Sequence, residues 1–290
     1  MEQVQIAKSS EVIEACNLVD IAGGEFLRGD AIGVGFAQEG PSHAVLVDDF
    51  MIGKYAVTAK EYAAFINDES AFFDELWCDF IDPCLIHKQG KKYSIAKGAE
   101  NYPMIQVSYV GAIAYCNWLS NKFGLENVYD LKTLNSDTSK NGIRLLKEAE
   151  WEFACRGPEL NDFSHGKTPS TDLVNYNKYE GEFSNKKAGF LKVGAFGLYE
   201  YSPVPVGTFP ANGYGLYEMN GNVNEWCHDS YCEYKDQSYN NPEGNKSSFK
   251  VIRGGSFMDG MEKQRPSYRH AIHFNAKCMI DGFRIGSNKF

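Results

Sequence analysis

Short apolar and alternating stretches at both ends of the chain predict β-strands. Residues 19–29 read as two short strands around the turn Gly23-Gly24. Residues 44–55 alternate well enough for another strand pair, with the turn at Asp48-Asp49. Near the C-terminus, residues 251–253 and 282–285 are short and apolar, which predicts two closing strands.

Three segments instead show the spacing of amphipathic helices. A Thr-x-x-Glu capping box begins the first, at residues 58–66, where aromatic and aliphatic side chains recur at helical intervals. A serine caps the second, residues 108–124, and a glycine ends it. The third is shorter and spans about residues 147–156 before Gly157.

After residue 157 the regular patterns thin out. Residues 158–250 are dominated by Asn, Gly, Tyr, Ser and Pro, and their aromatic content favours ordered loops over disorder. No composition shift marks a linker, and no internal repeat is visible. We therefore predict a loop-rich α+β chain with an N-terminal extension (residues 1–17) and one domain (residues 18–290).

Charge and hydropathy exclude several classes of protein. The 290 residues carry a net charge of −9, which argues against a nucleic-acid-binding protein. No apolar run approaches the roughly 20 residues of a membrane span. The first five residues have neither a basic region nor an apolar core, so no signal peptide is visible. The expected location is the cytoplasm, or an exported state whose leader has been removed.

The eight cysteines form no C-x-x-C pair, so a zinc ribbon is not expected. Cys116 and Cys155 lie within apolar helical stretches and are interpreted as core residues. Cys78 with Cys84, and Cys227 with Cys232, are close enough in sequence for disulfides. We expect reduced thiols, as in a cytosolic protein.

Five blocks of sequence, in order, resemble the formylglycine-generating-enzyme (sulfatase-modifying-factor) family across roughly residues 18–286. Each block is weak alone, and together they are specific; they occupy residues 23–29, 57–65, 102–118, 144–154 and 205–284, the last including Gly254-Gly255-Ser256 and Gly282-Phe283-Arg284. The resemblance implies a C-type-lectin-like fold with short antiparallel strands, a few helices and long loops supported by calcium. It also implies that the Gly-Gly-Ser strand and the loop after it line a ligand groove.

A calcium site is expected where oxygen donors cluster. Two carboxylates and two main-chain carbonyls occur within eight residues, at Glu218, Gly221, Val223 and Glu225. In the family this stretch holds a structural calcium, usually with Asp or Asn at the position of Glu218. A second family site would use Asn175, the carbonyl of Tyr176 and an acid near Glu200.

The chain departs from the family where catalysis occurs. Active members place two cysteines five residues apart after Gly-Gly-Ser, because two thiolates bind Cu(I). Those positions hold Asp259 and Gln264 here, and Asn224 replaces the usual Trp. Ser256 is kept. Neither copper binding nor formylglycine-generating activity is therefore expected.

A rewired metal site is the alternative interpretation. Asp259, His270 and His273, beside Ser256, could form a two-His-one-carboxylate centre. The simpler interpretation is that these are ordinary polar residues of the groove.

The C-terminal segment carries the opposite charge to the rest of the chain. From residue 250 onward, eight Lys or Arg against three acids give +5, which leaves −14 for the other residues. Aromatic, amide and guanidinium groups concentrated in one loop are typical of recognition surfaces. The predicted ligand-binding residues are Phe257, Asp259, Arg265, Tyr268, Arg269, His270, His273, Phe274 and Asn275.

This arrangement also resembles the variable proteins of diversity-generating retroelements, whose hypervariable stretch ends at a Gly-Phe-Arg strand. The first hypothesis for function is therefore a non-catalytic recognition domain, stiffened by calcium, that binds a protein or a small polar or anionic ligand through residues 257–281. The second is a metal-dependent oxidoreductase with a rewired site. A structural accessory subunit is the third.

Overall fold

The computed structural model describes residues 10–80, 85–161, 163–166, 170–177, 202–235 and 247–289. Four helices are labelled α1 (residues 10–15), α2 (Ala59–Ile66), α3 (Tyr109–Lys122) and α4 (Glu148–Arg156). The strands are β1 (Leu18–Ile21), β2 (Gly24–Arg28), β3 (His43–Val47), β4 (Phe50–Gly53), β5 (Ile86–Gln89), β6 (Lys92–Ile95), β7 (Arg144–Leu145), β8 (Asn224–Ser230), β9 (Phe249–Arg253), β10 (Arg269–His273), β11 (Asp281–Gly282) and β12 (Ile285–Asn288). Short strands, few helices and long connections confirm the α+β class.

Two four-stranded sheets organise the described chain, in the orders β1-β4-β12-β7 and β10-β9-β8-β11. Their pairings are antiparallel except for β11, which runs parallel to β8. The strands on either side of Gly23 were predicted to pair with each other, and that was wrong. Instead, β1 pairs with β4 and β2 pairs with β3. Gly23 therefore lies against the end of β3, where a Cβ would stand 2.1 Å from the carbonyl oxygen of Val47.

The helix caps follow the sequence signals. Thr58 Oγ1 accepts the Glu61 amide at 3.3 Å, and Glu61 Oε2 accepts the Thr58 amide at 2.8 Å, which completes the capping box. Ser108 Oγ accepts the Gly111 amide at 3.1 Å at the start of α3. Residues 109–120 of α3 are all buried, so this helix forms the centre of the larger core.

The core has two clusters of buried apolar side chains. The larger surrounds α2 and α3 and includes Val12 of the predicted N-terminal extension. The smaller lies between α4, β2 and β3, around Trp151. None of the described helices has the length and apolar character that a membrane span requires.

The seven cysteines within the described ranges are free thiols. Cys84 lies outside those ranges.

Candidate functional site

The loop between β9 and β10 begins with a glycine turn. Gly254 and Gly255 have φ angles of +99° and +69°, in the left-handed region that favours glycine. A Cβ at Gly255 would stand 2.6 Å from the carbonyl oxygen of Lys263, on the far side of the loop. The Gly-Gly-Ser motif therefore allows the loop to fold back on itself.

Asp259 and Gln264, at the positions of the family's cysteine pair, close this loop with hydrogen bonds. Asp259 Oδ2 accepts the hydroxyl of Ser256 at 2.5 Å and its amide at 2.9 Å, while Oδ1 receives Lys263 Nζ at 2.9 Å. The buried amide of Gln264 donates to the carbonyl oxygen of Gly260 at 3.2 Å. Both residues therefore bind the loop to itself.

Several predicted ligand-binding residues are buried, and their assignment to the surface was wrong. Phe257 and Tyr268 are 5% and 7% exposed, and Arg265 and Arg269 are 5% and 0% exposed. Arg265 Nη2 donates to Glu39 Oε1 at 2.6 Å. The positive charge that the sequence assigned to this loop is thus partly inside the protein.

Arg269 belongs to a buried ionic cluster around Glu148. Its Nε and Nη2 donate to the two carboxylate oxygens of Glu148 at 2.7 and 3.0 Å, and Arg28 also contacts this carboxylate. Burial raises the pKa of Glu148, but Arg269, Arg28 and Arg253 outweigh burial and hold that pKa below its ordinary value. The cluster joins β10 to α4 and β2, so it positions the loop.

The two histidines of the alternative metal site lie on opposite faces of β10. Residues three apart on a strand point to opposite faces and lie about 10 Å apart along it. His270 is half-buried near Asp259 and Lys263, whereas the exposed His273 stacks on Phe274 at 4.6 Å between ring centroids. Among the described residues, no three His, Cys, Asp or Glu side chains gather where they could hold a metal ion. The rewired two-His-one-carboxylate centre is therefore contradicted.

What the loop does expose is partly apolar. Met258 and Met261 are exposed. A second loop, which contacts this one through Arg265 and Tyr268, carries three more exposed apolar side chains, Ile32, Val34 and Phe36. The two loops meet at Arg265, whose Nε donates to the carbonyl of Glu262 at 3.0 Å and whose guanidinium lies 5.8 Å from the Phe36 ring centre. The exposed fractions of these five residues run from 41% at Phe36 to 65% at Val34. We call these five residues the methionine patch.

The other predicted ligand residues lie at the far end of β10. Asn275 is exposed, and its amide donates to His273 Nδ1 at 3.3 Å. Phe274 is half-buried against the larger core, and its carbonyl accepts the Tyr109 amide at 3.0 Å. The structure therefore does not bring all nine predicted ligand residues to one surface.

The carboxylate of Glu225, an expected calcium ligand, is bound by other side chains. Arg284 donates from Nε to Oε2 at 2.7 Å and from Nη2 to Oε1 at 2.8 Å. Trp151 Nε1 adds a third hydrogen bond to Oε2, at 2.7 Å. All three residues are buried, so this carboxylate is already neutralised by a guanidinium.

Glu218 is likewise engaged, with main-chain donors. Its two oxygens accept the amides of Gly207 and Phe209 at 3.0 and 3.1 Å. Burial raises the pKa of Glu218, against the lowering effect of these amides. Glu218 and Glu225 therefore do not fit a shared calcium ion while these hydrogen bonds are in place.

The second expected calcium segment connects two parts of the site. The carbonyl of Asn175 accepts the Asn222 amide at 2.9 Å, and the Asn177 amide donates to the carbonyl of Asp259 at 2.9 Å. Tyr176 lies half-buried between these two contacts, and Glu200 lies outside the described residues. Residues 175–177 thus hold the Gly221–Val223 turn against the 257–281 loop.

Sequence reasoning missed Asn222 as a structural residue. Its Oδ1 accepts the Val204 amide at 2.9 Å, its Nδ2 donates to the Val204 carbonyl at 3.1 Å, and its φ angle is +63°. Asn is among the few non-glycine residues that readily adopt the left-handed conformation. An Asn within a glycine-rich turn was therefore the sequence signal for this role.

Asn224, which replaces the family's Trp, pairs with a buried acid. Its Nδ2 donates to Asp281 Oδ1 at 3.0 Å, and within the described ranges its Oδ1 is buried without a hydrogen-bond partner. Burial raises the pKa of Asp281 to about 6, and Asp259 adds to the rise, while Asn224 and Cys278 oppose it. A buried acid therefore lies on β11, beside the start of β8 and close enough to Asp259 for the two charges to interact.

The fold and this loop together define an α+β domain of the formylglycine-generating-enzyme type, with hydrogen-bonding residues at the positions of the metal-binding cysteines. A model of the sulfatase-modifying factor enzyme 1-like domain matches residues 3–289. The chain belongs to this family.

The curated relatives include proteins named as serine/threonine-protein kinases and proteins named as formylglycine-generating enzymes. The serine/threonine-protein kinase pkn1 of Chlamydia caviae is 27% identical over 275 residues, which cover 92% of this chain and 37% of that protein. The chain thus spans little more than a third of the length of the first such relatives. The formylglycine-generating enzyme of Streptomyces coelicolor is 29% identical over 278 residues, 83% of this chain and 78% of that enzyme.

Solved structures show the same fold. Treponema denticola variable protein 1 superposes with a TM-score of 0.69 at 24% identity, covering 94% of this chain and 95% of its own. PvdO from Pseudomonas aeruginosa gives a TM-score of 0.68 at 23% identity, covering 94% of each chain.

Proposed function

We propose that this chain is a non-catalytic recognition domain that binds a protein partner through the exposed part of residues 257–281. The observation that carries the proposal is the methionine patch on a loop held in place by internal hydrogen bonds. Exposed apolar side chains grouped on two neighbouring loops are typical of interaction sites, and methionine adapts to varied partner surfaces. A loop already fixed by Asp259 and Gln264 loses little conformational entropy on binding.

The replacement of both cysteines supports the non-catalytic half of the proposal. Asp259 and Gln264 offer no thiolate, and both Asp259 oxygens and the Gln264 Nε2 form hydrogen bonds within the loop. The protein supplied with Cu(I) is expected to leave a sulfatase-type cysteine peptide unchanged in mass. Conversion of that peptide to formylglycine in amounts above a no-protein control would overturn this half.

Site-specific photo-crosslinking tests the recognition half. A photoreactive residue at Met261 is expected to capture one defined protein from the native host, and the same residue at Leu76 is not. Leu76 is the matched control because it is 74% exposed and lies outside the patch. The captured protein must also be lost when Met258→Asp is added to the Met261 probe. Equal capture from both positions would count against the patch.

A further inference from the structure

A second concave site lies at the other end of β9 and β10, away from the methionine patch. Its volume is about 550 Å³, within the range of small-molecule pockets. Polar side chains dominate its wall, among them Ser136, His228, Asp229, Ser230, Ser247 and Lys250. Nothing in the family's catalytic or calcium motifs involves these residues.

The hydrogen bonds of Tyr129 fix the proton on His228. The Leu145 amide can only donate, and it lies 3.0 Å from Tyr129 Oη, so the Tyr129 hydroxyl proton is directed to His228 Nδ1 at 3.1 Å. Burial, with nearby Lys250, lowers the pKa of His228 to about 3, which keeps the ring neutral. From these contacts we assign the ring proton to Nε2, which lies 3.4 Å from Ser136 Oγ.

Four hydroxyl groups in this wall act as acceptors toward the protein. Thr133, Ser136, Ser230 and Ser247 receive, respectively, the Asn135 amide, His228 Nε2, Lys250 Nζ and the Phe249 amide. A hydroxyl that accepts in this way keeps its own proton for donation. Thr133 also bonds the Asp130 carboxylate through its side chain. Within the described part of the chain, the Ser136, Ser230 and Ser247 hydroxyls have no protein acceptor, so the wall presents an excess of donors.

Lys250 adds the positive charge. Its ammonium has three N–H groups, of which one donates to the carbonyl of His228 at 3.3 Å and one to Ser230 Oγ at 3.1 Å, and it lies 4.5 Å from the Tyr109 ring centre. Asp229 is the acid of the pocket, and its Oδ2 is already used by the Glu148 amide at 2.6 Å. Donors therefore outnumber acceptors around a half-buried cation.

We propose that this pocket binds a small oxyanion, with Lys250 supplying charge and the Ser136, Ser230 and Ser247 hydroxyls supplying hydrogen bonds. Sulfate, phosphate and carboxylate groups share the required chemistry, because each offers several acceptor oxygens to converging donors. The proposal does not depend on the methionine patch, since the two sites occupy opposite ends of the hairpin.

Calorimetric titration with sodium sulfate, against sodium chloride at matched ionic strength, tests the site. Saturable binding of one sulfate is expected, with phosphate and acetate titrations ranking the anion class. Lys250→Gln should weaken sulfate binding by at least about tenfold, the loss expected from removing a charge-assisted hydrogen bond. Lys92→Gln is the control, because Lys92 is an exposed lysine of β6 that does not line this pocket.

Two further variants keep the proposal falsifiable if Lys250→Gln does not fold. Ser247→Ala removes one donor and should weaken sulfate binding. Asp229→Asn removes the opposing charge while an amide oxygen still accepts the Glu148 N–H, so it should strengthen binding. Absence of saturable sulfate binding, an equal loss in Lys92→Gln, or no change in either Ser247→Ala or Asp229→Asn would overturn the site.

Discussion

Arg284 and Glu225 form a buried two-point ion pair, with Nε to Oε2 at 2.7 Å and Nη2 to Oε1 at 2.8 Å. The pair joins Arg284 of the Gly-Phe-Arg segment to Glu225, the second residue of β8. A guanidinium therefore neutralises the carboxylate that the family resemblance assigns to calcium. The sequence showed both residues and gave no indication that they meet.

Replacing Glu225 by Gln should destabilise the protein strongly. It leaves the Arg284 charge buried without its partner, which costs about 3–5 kcal/mol in comparable pairs. Denaturant unfolding would measure the loss, with the exposed Glu262→Gln as control and an expected change within about 0.5 kcal/mol. A loss no larger than that of the control would show that the ion pair contributes nothing to stability.

Chelation tests the calcium expectation separately. Since Glu218 and Glu225 already have protein donors on both oxygens, EDTA is expected to leave the melting temperature unchanged. A domain of this size shifts by about 2–4 °C for each kcal/mol, so loss of a structural ion would be visible. A fall of several degrees that added calcium reverses would contradict this prediction and restore the calcium site.

Arg269 and His273 are the first and last residues of β10, and their truncation should change stability by very different amounts. Arg269→Ala leaves Glu148 in the core without one of its guanidinium partners, so a loss of about 3–5 kcal/mol is expected. His273→Ala removes an exposed ring and should stay within about 0.5 kcal/mol. Denaturant midpoints of the two variants measure these losses. Similar losses in both would contradict a buried ion pair between Arg269 and Glu148.

Asp281 should make stability depend on pH between about 4 and 6. Its pKa is about 6 when folded, against about 3.9 for an unfolded aspartate. The folded state thus binds more protons in this interval, and stability falls as pH rises through it. Asp281→Asn should remove the part of the pH-dependent loss of stability that Asp281 causes. The variant should therefore be more stable than the parent above pH 6. Melting curves at several pH values measure this, and an unchanged pH dependence in the variant would contradict it.

Local signals predicted the parts of the fold that local chemistry determines. The Thr58–Glu61 capping box, the Ser108 cap and the strand at residues 251–253 needed only neighbouring residues, and each was confirmed. The pairing of β1 with β4 was missed, because strand partners depend on distant contacts that a turn signal cannot specify.

The sequence predicted a loop after the Gly-Gly-Ser motif but not the burial of its side chains. The resemblance located the 257–281 loop, yet the partner of Arg269 is 121 residues away in the sequence, so its burial could not be read from the loop itself. The opposite faces of His270 and His273 were available from their spacing, since an odd separation on a strand reverses direction.

The most direct test of the recognition role is the affinity of the crosslinked partner, once purified, for four versions of this protein. The dissociation constant should rise at least about fivefold in Met258→Ala and Met261→Ala, because the apolar contacts that dominate an interface each contribute more than about 1 kcal/mol. The Leu76→Ala control should bind like the parent, and all variants should unfold at the same denaturant midpoint. Unchanged affinity in both methionine variants, with folding intact, would contradict a recognition surface at the methionine patch.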